Sequence, residues 1–109
     1  MSYNIISIPH FDKELKRLSK KYLSIKKDVA SLMIELEETP TMGDRITENC
    51  YKIRMAITSK GKGKSGGARV ITYIIGADET VFLLSIYDKS EQVNISNKEL
   101  SDLIESVSS

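Results

Sequence analysis

The sequence predicts an α+β domain in which one curved sheet carries a helical hairpin and a C-terminal helix. Three observations predict this class. Apolar residues recur at helical spacing in the first third of the chain, they alternate with a period of two from Asn49 onward, and helical spacing returns at the C-terminal end. The 109 residues fit a single domain spanning residues 1–109, which is long enough to bury a core without disulfides or a structural metal.

The first predicted elements are a short strand and two helices. The strand covers Tyr3–Ile8 and is closed by Pro9, which cannot donate to a sheet ladder. Apolar residues spaced as on a helix predict one helix over Phe11–Lys21 and another over Ser24–Glu38, which Pro40 ends. Two helices joined by so short a turn form an antiparallel hairpin.

Three strands follow in an antiparallel meander, and a helix ends the chain. The predicted strands are Cys50–Thr58, Arg69–Ile75 and Val81–Tyr87, and the last two are joined by the turn Gly76–Glu79. The second and third strands are continuously apolar, which is typical of central strands covered on at least one side. Ser96–Glu99 has the pattern of a capping box and begins the C-terminal helix.

The charges are distributed unevenly along the chain. Residues 1–51 hold eight Lys/Arg and eight Asp/Glu, and residues 70–109 hold two Lys/Arg and seven Asp/Glu. The segment between them holds six cations and no carboxylate: Lys52, Arg54, Lys60, Lys62, Lys64 and Arg69. Cations separated only by glycines and alternating core residues must converge in space, so this segment predicts a site for a polyanion.

Alternation in the first strand of the meander fixes two of these cations on one face. Ile53 and Met55 point to the buried side, and Lys52 and Arg54 therefore point to the opposite side. Arg69 opens the next strand and is expected at the same rim. The strand that ends at Tyr87 has its own rim residues, because side chains at strand ends are held rigidly.

The loop Thr58–Gly67 is predicted to be a mobile basic flap. It is longer than most hairpin loops, and its three lysines serve no evident fold requirement. Gly61, Gly63 and Gly66 satisfy the pattern G-x-G-x-x-G, but a strand follows them instead of the helix that would hold a pyrophosphate. A phosphate-binding P-loop is excluded because Thr58 stands where that motif needs glycine.

Single residues exclude several classes of protein. Cys50 is the one cysteine, so no intramolecular disulfide forms, and it is expected to be a small core residue. His10 is the one histidine, which leaves no zinc-type cluster, and it is expected at the surface or in a helix cap. No cofactor is implied. Without a long apolar run or a signal-peptide pattern, a soluble cytoplasmic protein with no membrane partner is expected.

Four segments resemble toxins of the RelE/ParE superfamily from type II toxin–antitoxin systems. They are F-D-K-E-L-K-R-L-S-K-K-Y in the hairpin, the strands C-Y-K-I-R-M and A-R-V-I-T-Y, and the ending L-L-S-I-Y-D-K-S-E-Q-V-N-I-S, which is most similar to the HigB-like branch. The resemblance covers nearly the whole chain and implies a small RelE-like fold. It also implies a cognate antitoxin as partner, and a metal-independent endoribonuclease that cuts mRNA on the ribosome and thereby inhibits translation.

The family's site residues transfer to this chain by position. Its basic-x-basic pair falls on Lys52 and Arg54, its third-strand arginine on Arg69, and its basic position after the fourth strand on Lys89. The resemblance departs at the catalytic tyrosine of RelE, where this chain has Ile95, so Tyr87 is only a positional stand-in.

These residues are given roles that fit RNA cleavage. The two arginines are assigned to phosphate and transition-state charge, because a guanidinium stays charged and binds phosphate through two donors. Lys52 or Lys89 is assigned to proton transfer. The loop lysines are assigned to contacts with mRNA or rRNA: Lys60, Lys62 and Lys64.

Two alternative functions remain open from the sequence. A ParE-like inhibitor of DNA gyrase would bind protein and need no catalytic residues, and a noncatalytic RNA-binding module would explain the missing tyrosine. At the end of the last strand, Tyr87 and Lys89 share a face if the strand persists through Lys89. Otherwise Tyr87 is a core residue and Lys89 a solvated turn charge.

Overall fold

A computed structural model describes residues 2–108 and confirms the predicted α+β class. Short 3₁₀ turns occur at Thr58–Lys60 and Gly76–Asp78. The helices and strands in chain order are β1 (Asn4–Ser7), α1 (Pro9–Ser19), α2 (Ile25–Glu38), β2 (Asp44–Thr47), β3 (Cys50–Met55), β4 (Ala68–Ile75), β5 (Thr80–Asp88) and α3 (Asn97–Ser108).

The five strands form one mixed sheet in the order β1-β5-β4-β3-β2. The predicted antiparallel meander is confirmed as β3, β4 and β5. The whole sheet is mixed and not purely antiparallel, because β1 runs parallel to β5. Asn4 of β1 is paired with Thr80 of β5. Strand direction at this edge is set by a partner far along the chain, and four residues carry no local pattern that reveals it.

Strand β2 was not predicted from the sequence. All four of its residues are exposed, so the alternation that marks a half-buried strand is absent. It is a strand because it pairs antiparallel with β3. Gly43 has a φ of +93°, and a side chain there would lie 2.4 Å from the Lys52 carbonyl oxygen. Asn49 closes the hairpin to β3 with a φ of 61°.

Strand β3 ends earlier than predicted. Alternation extends apolar residues to Ile57, which is buried, yet the sheet ladder ends at Met55. The Thr58 amide and hydroxyl instead donate to the Asp28 carboxylate at 3.0 and 2.6 Å. A side-chain acceptor on α2 therefore turns the chain out of the sheet.

The helix ends follow local chemistry. Pro9 occupies the first turn of α1, where its missing N–H costs nothing, so this helix begins two residues before the predicted start. At α3 the Ser96 hydroxyl accepts from the Glu99 amide at 3.1 Å, which is half of the predicted capping box. No helix within residues 2–108 has the length and apolar character needed to cross a membrane.

The sheet buries apolar side chains on both faces. The helical hairpin covers one face with a core that includes Phe11, Leu18, Ile25, Leu36, Val70, Leu83 and Ile86. On the other face α3 packs through Leu103 onto a smaller core of Cys50, Ile71, Leu84 and Tyr87. The prediction that Cys50 is a core residue is confirmed, and burial raises the pKa of its thiol to about 11.

Candidate functional site

Two arginines and a tyrosine lie side by side across three neighbouring strands. Arg54 on β3 is paired with Arg69 on β4, and Arg69 is paired with Tyr87 on β5. Paired residues of antiparallel strands point to the same face, so the three form one row, called here the arginine row. Two like charges directly opposite each other destabilise a sheet, so this arrangement is better explained by binding an anion than by folding.

Arg69 is buried, with 4% of the residue exposed, whereas the sequence predicted a charge projecting from the rim. Its guanidinium donates to the backbone carbonyl oxygens of Lys64 at 2.9 Å, Ala68 at 3.1 Å and Ser65 at 3.5 Å. Within residues 2–108 no carboxylate forms a salt bridge with Arg69 or Arg54. The hydrogen bonds of the Arg69 guanidinium to other described residues therefore go to carbonyl dipoles and to no carboxylate.

Tyr87 is also buried, with 1% of the residue exposed, as the core-residue alternative predicted. Its hydroxyl has no hydrogen-bond partner among residues 2–108. Burial raises the pKa of the Tyr87 phenol, and the positive charge of Arg69 partly opposes that rise. A buried hydroxyl without a partner costs about 1–3 kcal/mol, so the fold keeps the Tyr87 hydroxyl beside Arg69 at some cost to stability.

An open groove meets the arginine row at Arg54, the exposed residue of the row. It has a volume of about 350 Å³, and its lining includes three cations, Lys52, Arg54 and Lys64, together with Gly43 and Asp44. Lys52 is half-buried and donates to the Asn94 side chain at 3.1 Å, while Arg54 is exposed. The groove joins cations that are distant in sequence and fits an extended polyanion.

Lys89 lies apart from the face of Tyr87. Strand β5 ends at Asp88, so the condition under which Tyr87 and Lys89 would share a face is not met, and Lys89 is exposed in the following turn. It lines a second groove with Lys62, Ser65 and Ser90. Lys64 and Lys62 thus line different grooves beside the loop.

Lys60 differs from the two other loop lysines because its ammonium is already bound. It donates to the Asp88 carboxylate at 3.0 Å and to the Ser90 hydroxyl at 3.1 Å. The Asp88 side chain is fully buried and also accepts from the Tyr22 hydroxyl. We call Asp88, Lys60, Tyr22 and Ser90 the anchor network. It connects the helical hairpin, the loop and the end of β5.

Asp88 was missed from the sequence as a network residue. Burial alone would raise the pKa of its carboxyl, but hydrogen bonds from Tyr22, Ser90 and Lys60 outweigh burial and hold that pKa well below its ordinary value. A second carboxylate missed from the sequence, Asp28, behaves similarly. Burial opposes ionisation, yet donors from Thr58 and Ser24 lower the pKa. The sequence around Asp88 or Asp28 does not indicate that either carboxylate is a buried hydrogen-bond acceptor.

Metal-ligand geometry occurs once within residues 2–108, away from the sheet. His10 and Glu14 of α1 meet Glu99 of α3, and their ligand atoms lie within 4.8 Å of one another. The His10 Nε2 atom is 3.2 Å from Glu14 and 3.5 Å from Glu99. His10 lies where α1 meets α3 with 38% of its side chain exposed, which agrees with the predicted surface position. The group joins two helices and contributes nothing to the arginine row.

Comparison with known proteins decides the family. A family model described as the RelE toxin of the RelE/RelB toxin–antitoxin system matches residues 10–108. The chain belongs to the RelE toxin family. That match covers almost all of the chain and includes the arginine row, both grooves and the anchor network.

Solved structures of RelE share this fold. A double arginine-to-alanine mutant of Escherichia coli RelE in the free state is 19% identical, with a TM-score of 0.63 over 98% of this chain and 99% of that chain. The isolated E. coli RelE toxin is 19% identical, with a TM-score of 0.61 over 97% and 99%. A RelE mutant in complex with an antitoxin RelBc peptide is 20% identical, with a TM-score of 0.62 over 94% of each chain. Assignment to the HigB-like branch stays a prediction.

Proposed function

We propose that this member of the RelE family is the toxin of a type II toxin–antitoxin system and cleaves mRNA on the ribosome without a metal ion. The observation that carries the proposal is the arginine row beside an open cationic groove. A groove of that kind can hold the RNA backbone through charge, and the row supplies fixed donors at one place along it. Because the proposed substrate is mRNA on the ribosome, we propose that the protein acts in the cytoplasm.

Cleavage needs little chemistry from the protein. The RNA 2′-hydroxyl attacks the adjacent phosphate, so an enzyme has to orient that attack, stabilise the charge that grows on the phosphate and protonate the leaving oxygen. Arg54, exposed beside the groove, would bind the phosphate, and Arg69 would stabilise its transition-state charge. The unpartnered hydroxyl of Tyr87 would donate to a phosphate oxygen.

The proton-transfer role favours Lys52 over Lys89. Lys52 lies on the same face of β3 as Arg54 and lines the groove that the arginine row borders. Lys89 lies outside β5, in the second groove. Lys62 and Lys64 are proposed to contact RNA or rRNA, whereas the Lys60 ammonium is engaged by Asp88 and its role is proposed to be structural.

An antitoxin is the proposed protein partner. The RelE mutant whose structure is similar to this chain was solved with an antitoxin RelBc peptide. Lys52, Arg54 and Lys64 form no salt bridge with a carboxylate within residues 2–108, which favours an acidic segment that lies across their groove. Such a segment would block access of RNA to the arginine row.

A noncatalytic RNA-binding module is the second candidate, and one observation favours it. Arg69 and Tyr87 are both buried, and the loop carbonyls already occupy the Arg69 guanidinium. In that case the open groove alone would hold RNA, and no bond would be cut.

The deciding experiment adds the protein to translating ribosomes and maps the 5′ ends of the mRNA. New ends that appear with the wild type and disappear with Arg54→Ala support cleavage. Arg45→Ala is the matched control, because Arg45 is exposed on β2 and its pairing with Tyr51 puts it on the opposite face from Lys52 and Arg54. Translation arrest without new ends would favour the binding module, and loss of supercoiling activity with purified gyrase would favour the ParE-like alternative.

A further inference from the structure

The loop between β3 and β4 is fixed at both ends. At its start, Thr58 is bound by Asp28, and the Ser59 amide donates to the Ser24 hydroxyl at 2.8 Å. Lys60 is held by Asp88 in the anchor network. At its end, the Gly67 carbonyl accepts from the Lys89 amide at 3.1 Å. The segment Gly61–Gly66, called here the latch loop, lies between these fixed points.

Arg69 supplies the side-chain hydrogen bonds that hold the latch loop to the sheet. Among residues 2–108, no other side chain donates to a backbone carbonyl of Gly61–Gly66. The two carbonyl oxygens, of Lys64 and Ser65, stand where a guanidinium binds the oxygens of a phosphate. Carbonyls carry partial charge only, and a phosphate would bind the same donors more strongly.

The neighbouring Tyr87 hydroxyl is the second polar group that a phosphate at Arg69 could contact. This buried hydroxyl lies beside Arg69 in the arginine row and has no partner among the described residues, so the loop satisfies the arginine but leaves the tyrosine unsatisfied. A phosphate oxygen bound by Arg69 would provide an acceptor for that hydroxyl as well.

We infer that the latch loop is an internal competitor for RNA, whose carbonyl oxygens occupy the phosphate-binding edge of Arg69 until an RNA phosphate displaces them. The inference rests on the proposed function, since it takes RNA as the ligand of the arginine row. The latch loop moves between its two fixed ends when RNA enters, and it carries Lys62 and Lys64 with it.

Two glycines make the competition testable without touching the arginine row. Gly61 and Gly63 have φ values of +72° and +65°, and a Cβ atom added at either position would meet no atom within 4 Å. Valine at these positions therefore strains the closed backbone, while its Cβ atom lies in open space. Gly76 is a matched control, because its side-chain position is equally open and its φ lies outside the left-handed region.

The experiment measures binding of a short 2′-O-methyl RNA oligonucleotide, which cannot be cleaved, to the wild type and to Gly63→Val. The strain acts against the latched state only, so binding should become tighter by up to about 5- to 30-fold. Gly61→Val should act in the same direction, and Gly76→Val should bind as the wild type does. In hydrogen exchange, the Gly67 amide, which donates to the Lys64 carbonyl at 3.3 Å, should exchange faster in Gly63→Val and in RNA-bound wild type.

Equal or weaker RNA binding by both Gly61→Val and Gly63→Val, with faster exchange at Gly67, would overturn the competition. No detectable RNA binding by any variant would overturn it too. If the glycine variants bind RNA more tightly but ribosomes yield no new mRNA ends, the competition stands and only the proposed cleavage fails.

Discussion

At the scale of single residues, Arg69 combines burial with an uncompensated charge. Arg69→Ala should lower mRNA cleavage on ribosomes by about 100- to 1,000-fold, the usual loss when one positioned donor to transition-state charge is removed. Arg69→Lys should recover little of that loss, because an ammonium cannot replace a guanidinium that makes parallel hydrogen bonds. Cleavage rates and the free energy of unfolding should be measured together.

The matched control for Arg69 is Arg45→Ala. Arg45 is an exposed arginine of the same sheet on the other face, and its removal should leave the cleavage rate unchanged. Equal rates for Arg69→Ala and Arg45→Ala would remove Arg69 from the site.

Tyr87→Phe should raise the stability of the protein and lower its cleavage activity. The hydroxyl has no partner in the part of the chain that the structure describes, so its removal relieves a desolvation cost and should raise the free energy of unfolding by up to about 1–3 kcal/mol. Cleavage should fall, because the proposed donor to the phosphate is lost. Urea unfolding and mRNA end mapping test the two effects, and lower stability would show that the hydroxyl has a partner in solution.

At the scale of elements, the anchor network should make stability depend on acid. The pKa of Asp88 in the folded protein lies below the ordinary value of about 3.9, so the carboxylate stabilises the fold above that pH. This stabilisation is lost progressively as the pH falls from the ordinary pKa towards the lower pKa of the folded protein. Asp88→Asn should lower the free energy of unfolding by about 1–3 kcal/mol at neutral pH and flatten its decline in acid.

Asp102→Asn serves as the control for Asp88→Asn. Asp102 forms an exposed pair with Lys98 four residues away on α3, and such pairs contribute only about 0.3–0.5 kcal/mol. If both variants lose equal stability at neutral pH, the anchor network contributes no more to stability than an exposed ion pair.

The loop lysines should affect binding unequally. Lys62→Gln combined with Lys64→Gln should flatten the dependence of log affinity on log salt by about 1.4, since each phosphate contact with single-stranded RNA contributes about 0.7. Lys60→Gln should leave this slope unchanged and lower the stability instead, because Lys60 is bound to Asp88. Lys26→Gln with Lys27→Gln, both exposed on α2, is the control pair.

The elements with strong periodicity were predictable, and those defined by tertiary contacts were not. The helices and the meander follow from apolar spacing, which records one buried face per element. Strand β2 has no buried residue, and β1 takes its direction from β5. At the site, alternation placed Lys52 and Arg54 opposite Ile53 and Met55, as the structure confirms.

What the sequence could not show is which cations are already bound. Arg69 and Lys60 look like Arg54 and Lys62 in the sequence, yet the first two are held by carbonyl oxygens and by Asp88. Those partners lie on other segments, so only the folded chain distinguishes an occupied cation from an available one.

At the scale of the whole molecule, α3 is the cover of the second core. Leu103→Ala should lower the free energy of unfolding by about 2–5 kcal/mol, because a buried leucine is replaced by a cavity. It should also speed labelling of the Cys50 thiol, which is fully buried beneath α3. Leu23→Ala is the control, because Leu23 is 97% exposed and packs on neither core.

The parallel pairing of β1 with β5 also sets when the protein can fold during its own synthesis. A nascent chain leaves the ribosome from its N-terminus, so β1 emerges before β5. The two strands can pair only after β5 has been synthesised. Tyr87 and its partner Arg69 meet only when that same strand arrives. The arginine row therefore cannot assemble before β5 has been synthesised, and the earlier part of the chain cannot form the row by itself.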